Sequence, residues 1–138
     1  MLPTLRILLA LLGLSAIAIC LSILLTGAAP TAAMAESMFG GASGDLWPAT
    51  MDSELRFYAP FWGSYGILLI LAALNPARRG GWVPWLAAVF FAGGIGRLIS
   101  LIAVGWPHPA FVVLMAIELI LPPLLIWLWR GARKATAV

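Results

Sequence analysis

Four long apolar stretches separated by short clusters of charge, proline and glycine set the pattern of this chain. No Asp, Glu, Lys or Arg falls in residues 7–35, 57–77, 80–96 or 98–117, and about 20 apolar residues suffice to cross the hydrocarbon of a bilayer. The stretches are continuously apolar, which predicts membrane helices; a transmembrane β-barrel would need segments of roughly ten residues that alternate apolar with polar. Breakers then mark the ends. Span one is predicted at about 6–26, stopping where Gly27 and Pro30 open a small-residue tract, and span two at 53–74, stopping at Asn75-Pro76. Span three, at 83–104, follows Gly80-Gly81, and span four, at 110–129, follows the turn Gly105-Trp106-Pro107-His108-Pro109. The expected fold is therefore all-α: one integral membrane domain over 1–138, built as a four-transmembrane-helix bundle. Residues 27–52 are expected as an outer loop with a flexible centre at 39–45, and a short interfacial helix fits 31–39, where Met34, Met38 and Phe39 share a face.

Composition agrees with the pattern. Apolar residues make up 63% of the 138 and charged residues 9%, against about 45–50% and about 25% in soluble domains. The net charge of +3 is small and the bases form no stripe along a polar helix, so no nucleic-acid partner is expected. Arg6, Arg78 and Arg79, and then Arg130, Arg133 and Lys134, all fall on one side of a four-span topology, which predicts that both termini and the 75–82 connection are cytoplasmic. Tryptophans give the same orientation, with Trp82, Trp85, Trp127 and Trp129 as an inner belt and Trp47 and Trp106 near the outer surface. Ala33-Met34-Ala35 resembles a signal cleavage site, but Ile7–Leu25 exceeds the roughly 7–15 residues of a signal core, and span one is expected to be retained.

Two ionisable residues lie where a bilayer tolerates few. Arg97 is seven residues inside Val104 and Glu118 eight inside Ala110, depths of about 10 and 12 Å at 1.5 Å per residue. An ionised group near mid-membrane costs at least about 2.5–3.5 kcal/mol on insertion scales. The short turn makes spans three and four antiparallel neighbours, so an Arg97–Glu118 ion pair is the expected resolution. Pro122 and Pro123 remove the amide hydrogens that normally reach the carbonyls of Glu118 and Leu119, which predicts a kink in span four and leaves carbonyls that Arg97 is placed to serve. Gly93, Gly96, Ser100 and Ala103 recur at helical spacing and predict a close-packing stripe on span three.

On span two, Glu54, Tyr58 and Tyr65 share one helical face, with Arg56 and Asp52 beside it at the water boundary. Together with His108 in the outer turn they are expected to rim a polar pocket opening outward and floored by Arg97 and Glu118. Taken alone, His108 reads as a solvent-exposed turn residue. One histidine, one cysteine and no Glu-x-x-His pattern support neither a metal site nor any other cofactor. Cys20, deep in span one with no neighbouring base, reads as packed or lipid-facing.

The segments Glu54-Leu55-Arg56-Phe57-Tyr58-Ala59-Pro60-Phe61-Trp62-Gly63, Gly93-Gly94-Ile95-Gly96-Arg97-Leu98-Ile99-Ser100-Leu101, Gly105-Trp106-Pro107-His108-Pro109-Ala110-Phe111 and Glu118-Leu119-Ile120-Leu121-Pro122-Pro123 together resemble a family of small bacterial four-helix membrane proteins of unassigned function. The resemblance covers about residues 50–129. It implies a multi-pass protein of the bacterial inner membrane and singles out Arg56, Arg97 and Glu118 without giving them a role.

Three functional readings compete. The first is a non-enzymatic accessory or interaction subunit, as a homo-oligomer or within a larger membrane complex, whose buried Arg–Glu cluster fixes the bundle. The second is binding or transport of a small anion, lipid or hydrophobic molecule by Arg97 and Arg56, with Tyr58, Tyr65 and Trp62 as an aromatic wall. In the third, an intramembrane enzyme, Glu118 is the acid or base, but Ser100 has no histidine near it inside the membrane, and an Arg-paired carboxylate suits a stable ion pair better than proton transfer.

Overall fold

Each apolar run becomes a helix, because a chain with no water to bond must satisfy its backbone internally. A computed structural model describes residues 1–40 and 49–136 of the chain. Its elements are α1 (Leu2–Thr26), α2 (Ala28–Phe39), α3 (Ala49–Leu74), the single turn α4 (Pro76–Arg79) running into a 3₁₀ turn (Gly80–Trp82), α5 (Val83–Val104) and α6 (Pro109–Thr136). Among the described residues four helices are long and apolar enough to cross a membrane, at Leu2–Thr26, Asp52–Leu74, Pro76–Val104 and Pro109–Lys134. Most of their surface is uncovered: Trp85 and Ile102 are each 77% exposed. A bilayer is the solvent that such a surface requires, so the chain is a multi-pass membrane protein.

The start of the 27–52 segment departs from the expected loop. Residues 28–39 are helical, which extends the interfacial helix expected at 31–39 back to Gly27. The glycine-rich centre expected beyond Gly40, with Asp45 and Trp47, lies outside the described residues. Asn75 does act as a breaker and then as a cap: its Oδ1 accepts the Arg78 amide hydrogen at 3.1 Å, with Pro76 in the first turn where no amide hydrogen is needed. The 75–82 connection is thus helical rather than open. α6 runs unbroken through Pro122 and Pro123 to Thr136, past the expected end at 129.

Packing is unequal along the bundle. α1 and α3 touch through small residues: a Cβ placed on Gly66 would lie 2.7 Å from the Gly13 carbonyl oxygen, and one on Gly63 would lie 2.7 Å from Cys20 Sγ. Hydrogens in place of methyls let the two backbones meet there. The core shared by all four long helices lies near the end that carries Arg6, Arg79 and Arg133, and it contains Leu5, Leu9, Leu69, Leu86, Phe90 and Leu125. Beyond Gly94 no residue of α5 is buried. Tyr65 closes this core, stacking on Trp62 at 5.3 Å with planes 14° apart and donating its hydroxyl hydrogen to the Leu86 carbonyl at 2.8 Å. Tyr65→Phe keeps the ring and loses that bond. We expect it to lower stability by about 1 kcal/mol or less, read by equilibrium unfolding in mixed micelles.

Candidate functional site

The turn between α5 and α6 sets the register of the polar pair. Gly105 ends α5 at φ 114°, and His108 then accepts the Ala110 amide hydrogen at Nδ1 (3.3 Å) and the Phe111 amide hydrogen at its carbonyl (2.9 Å). With the hairpin fixed, Arg97 and Glu118 come level, and Arg97 Nε donates to Glu118 Oε2 at 2.8 Å. Two glycines of α5 make the seat for the carboxylate. A Cβ on Gly94 would come within 3.0 Å of Glu118 Cβ and 2.9 Å of Leu119 Cδ2, and one on Gly93 would lie 3.8 Å from Glu118 Oε2. Glu118 is the buried charged residue among those described.

The pair is asymmetric. The Glu118 side chain is 5% exposed and that of Arg97 36%. Arg97 Cζ also lies 5.3 Å from the Phe111 ring centroid. Phe111 precedes Glu118 by about two turns of α6, so the guanidinium leans from the carboxylate toward the 105–108 turn. Nε is engaged, whereas among the described residues nothing bonds the two terminal nitrogens. The arrangement can neutralise one buried carboxylate and still present donors sideways, across the face of α5 and α6.

The other expected site residues do not gather here. Arg56 belongs to the α1–α3 pair: its Nε donates to Asp52 Oδ2 at 2.7 Å, and its Nη1 donates to the Leu24 carbonyl at 2.7 Å. Glu54 and Ser100 are exposed. Tyr58 is exposed against the edge of Phe57, at 5.3 Å, while Tyr65 is buried in the core. Tyr58 and Tyr65 do share a face of α3, but they stand two turns apart, and α5 covers that face only at the height of Tyr65. Hence the outward pocket floored by Arg97 and Glu118 is not formed among the described residues. Two cavities lie at the opposite end, lined by residues of α1, α3, α6 and the 75–81 turn.

Two smaller expectations are also corrected. His108 is half-buried, and its Nε2 is enclosed without a hydrogen-bond partner among the described residues. The packing face of α5 is Val83, Leu86, Ala87, Phe90 and Gly94, whereas Gly93, Gly96, Ser100 and Ala103 are exposed. The stripe exists at helical spacing, but a spacing does not say which face turns inward. Missed altogether was the α1–α3 seam, although Gly13, Ala16 and Cys20 and then Ala59, Gly63 and Gly66 repeat at the same three- and four-residue spacings. No group of three His, Cys, Asp or Glu side chains stands together among the described residues.

Residues 4–129 match the model of a family described as a domain of unknown function (DUF4345). The match takes in the first span, which the resemblance over residues 50–129 left out. No curated protein and no solved structure matches the chain.

Proposed function

The chain belongs to that family of unknown function, and from this premise we propose that it is a non-enzymatic interaction protein of the membrane, docking through the face of α5 that carries Arg97. One observation carries the reading: an arginine on an apolar helix, its side chain 36% exposed, whose hydrogen bond to Glu118 uses Nε and leaves the terminal nitrogens for another partner. Hydrocarbon offers no acceptors for those donors, whereas a packed helix brings carbonyls and polar side chains. Beside Arg97 the surface is flat, since Gly96 has nothing within 4 Å of where a Cβ would stand and Gly93 and Ser100 flank it. The partner we assign is a second copy, whose own small-residue stripe is self-complementary about a two-fold axis. The distribution of Arg and Lys supports both termini in the cytoplasm, and the bacterial resemblance supports the inner membrane.

Cross-linking tests this. In a Cys20→Ala background, Ser100→Cys should give a disulfide-linked dimer in bilayers. Replacing Arg97 and Glu118 together by leucine should weaken dimerisation by about three- to twentyfold, the range set by single interhelical polar contacts in membranes. A strictly monomeric chain in native lipid overturns the proposal. Anion binding at Arg97 is the second reading, because a guanidinium whose side chain is 36% exposed suits a phosphate or carboxylate; a monomer that binds such an anion only with Arg97 intact would favour it.

A further inference from the structure

At the end of the bundle opposite the 105–108 turn, a cavity of about 450 Å³ is lined by Leu2, Leu74, Asn75, Gly81, Trp129 and Arg133, among others. A second, open groove of about 390 Å³ continues from it, sharing Leu2 and Leu74 and adding Pro3, Arg6, Ile7 and Ala73. The charged side chains at this end are of one sign. Arg6, Arg78, Arg79, Arg130, Arg133 and Lys134 all belong to it, while residues 1–35, 55–117 and 119–138 hold no carboxylate side chain. Some of these cations already have partners: Arg6 Nε donates to the Ala73 carbonyl at 2.9 Å, Arg79 Cζ lies 5.7 Å from the Trp82 ring centroid, and Arg133 is engaged as well, so a ligand there would share its guanidinium. One donor is not. Trp129 Nε1 is buried with no hydrogen-bond partner among the described residues, next to Gly80 and under the Arg133 guanidinium, which stands 5.1 Å from the ring centroid.

A buried indole N–H left unpaired costs free energy that an acceptor would recover. The acceptor that fits is an anion, because Arg133 and Asn75 line the walls and no Asp or Glu does. The adjoining groove supplies what a free ion would not use, namely an apolar trough between α1 and α3 lined by Pro3, Ile7, Ala73 and Leu74, with Arg6 beside them. We infer that this end of the bundle is a binding site for an anionic phospholipid, with its phosphate against Arg133 and Trp129 Nε1 and an acyl chain in the groove. The site is separate from the Arg97 face and does not depend on it.

The test is titration of the detergent-purified full chain with phosphatidylglycerol or phosphatidylcholine, read by native mass spectrometry. Phosphatidylglycerol should bind at least about tenfold more tightly than phosphatidylcholine. Arg133→Ala should weaken phosphatidylglycerol binding about fivefold, the effect of one basic residue near an anionic headgroup. Lys134→Ala, one residue on but not in the cavity wall, should change it by less than about twofold. Gly81→Leu should lower phosphatidylglycerol binding as well, because a Cβ there meets nothing within 4 Å and the side chain would fill the cavity. Arg133 is exposed, so its variant is expected to fold even if Gly81→Leu does not. Equal binding of the two lipids overturns the inference, as do equal losses in the Arg133 and Lys134 variants. So does complete displacement of phosphatidylglycerol by millimolar inorganic phosphate, which would make this a site for the free anion.

Discussion

Arg97→Ala should destabilise the chain more than the loss of both charges does. Truncating the arginine leaves Glu118, 5% exposed, with its Oε2 partner gone and the Gly93–Gly94 surface pressed against it. Breaking a buried pair from one side costs about 3–5 kcal/mol in soluble proteins. The membrane value should be smaller, because a chain unfolded within the bilayer finds other partners. Arg97→Met with Glu118→Leu removes both desolvation costs and should recover much of that loss. The two single variants should also differ, since Glu118→Ala leaves a guanidinium that is 36% exposed and long enough to move toward the headgroups. The expected order of stability is double variant, then Glu118→Ala, then Arg97→Ala, measured by equilibrium unfolding in bicelles. If single and double variants unfold alike, the two residues are not coupled.

The second large effect is expected far from any charge. Gly66→Ala puts a methyl 2.7 Å from the Gly13 carbonyl oxygen, 3.0 Å from Ile17 Cγ1 and 3.1 Å from Ala16 Cβ. Backbone cannot swing aside as a side chain does, so α1 and α3 must separate along the seam. Overpacking of this kind costs about 1–3 kcal/mol. Gly96→Ala is the matched control: its Cβ meets nothing within 4 Å, and alanine is the better helix former, so the monomer should unfold no more easily than the parent. The same bicelle assay compares them, and equal losses at the two positions would mean that the seam is looser than drawn.

What was legible in the sequence is what charge and apolar length decide. Uncharged runs gave four helices, with ends of unequal accuracy: α5 is Val83–Val104 as expected, α1 starts at Leu2 rather than 6, and α6 runs seven residues past the expected 129. The level of Arg97 with Glu118 followed from counting residues out from a short turn, because a turn that short fixes both the neighbour and the register. Rotation of each helix about its own axis was not legible. In a soluble helix polar residues mark the outward face, but here lipid-facing and core-facing residues are equally apolar. Spacing alone therefore picks out Gly93–Gly96–Ser100–Ala103 as the packing stripe, and the structure buries the face bearing Gly94 instead. Height misled in the same way. Tyr58 and Tyr65 share a face, yet only Tyr65 stands where Leu86 and Phe90 can cover it, and Arg56 is drawn instead to Asp52 and the Leu24 carbonyl. Among the described residues the outward pocket is not formed, because it joined residues that belong to different helix pairs.

The ion pair between α5 and α6 is the centre of this account, and solid-state NMR in lipid bilayers reads it directly through dipolar recoupling between ¹⁵Nε of Arg97 and ¹³Cδ of Glu118. A direct contact, with Nε at 2.8 Å from Oε2, predicts strong and rapid dephasing. Dephasing so weak that a water must stand between the two groups, at heavy-atom separations beyond about 3.5 Å, would contradict it.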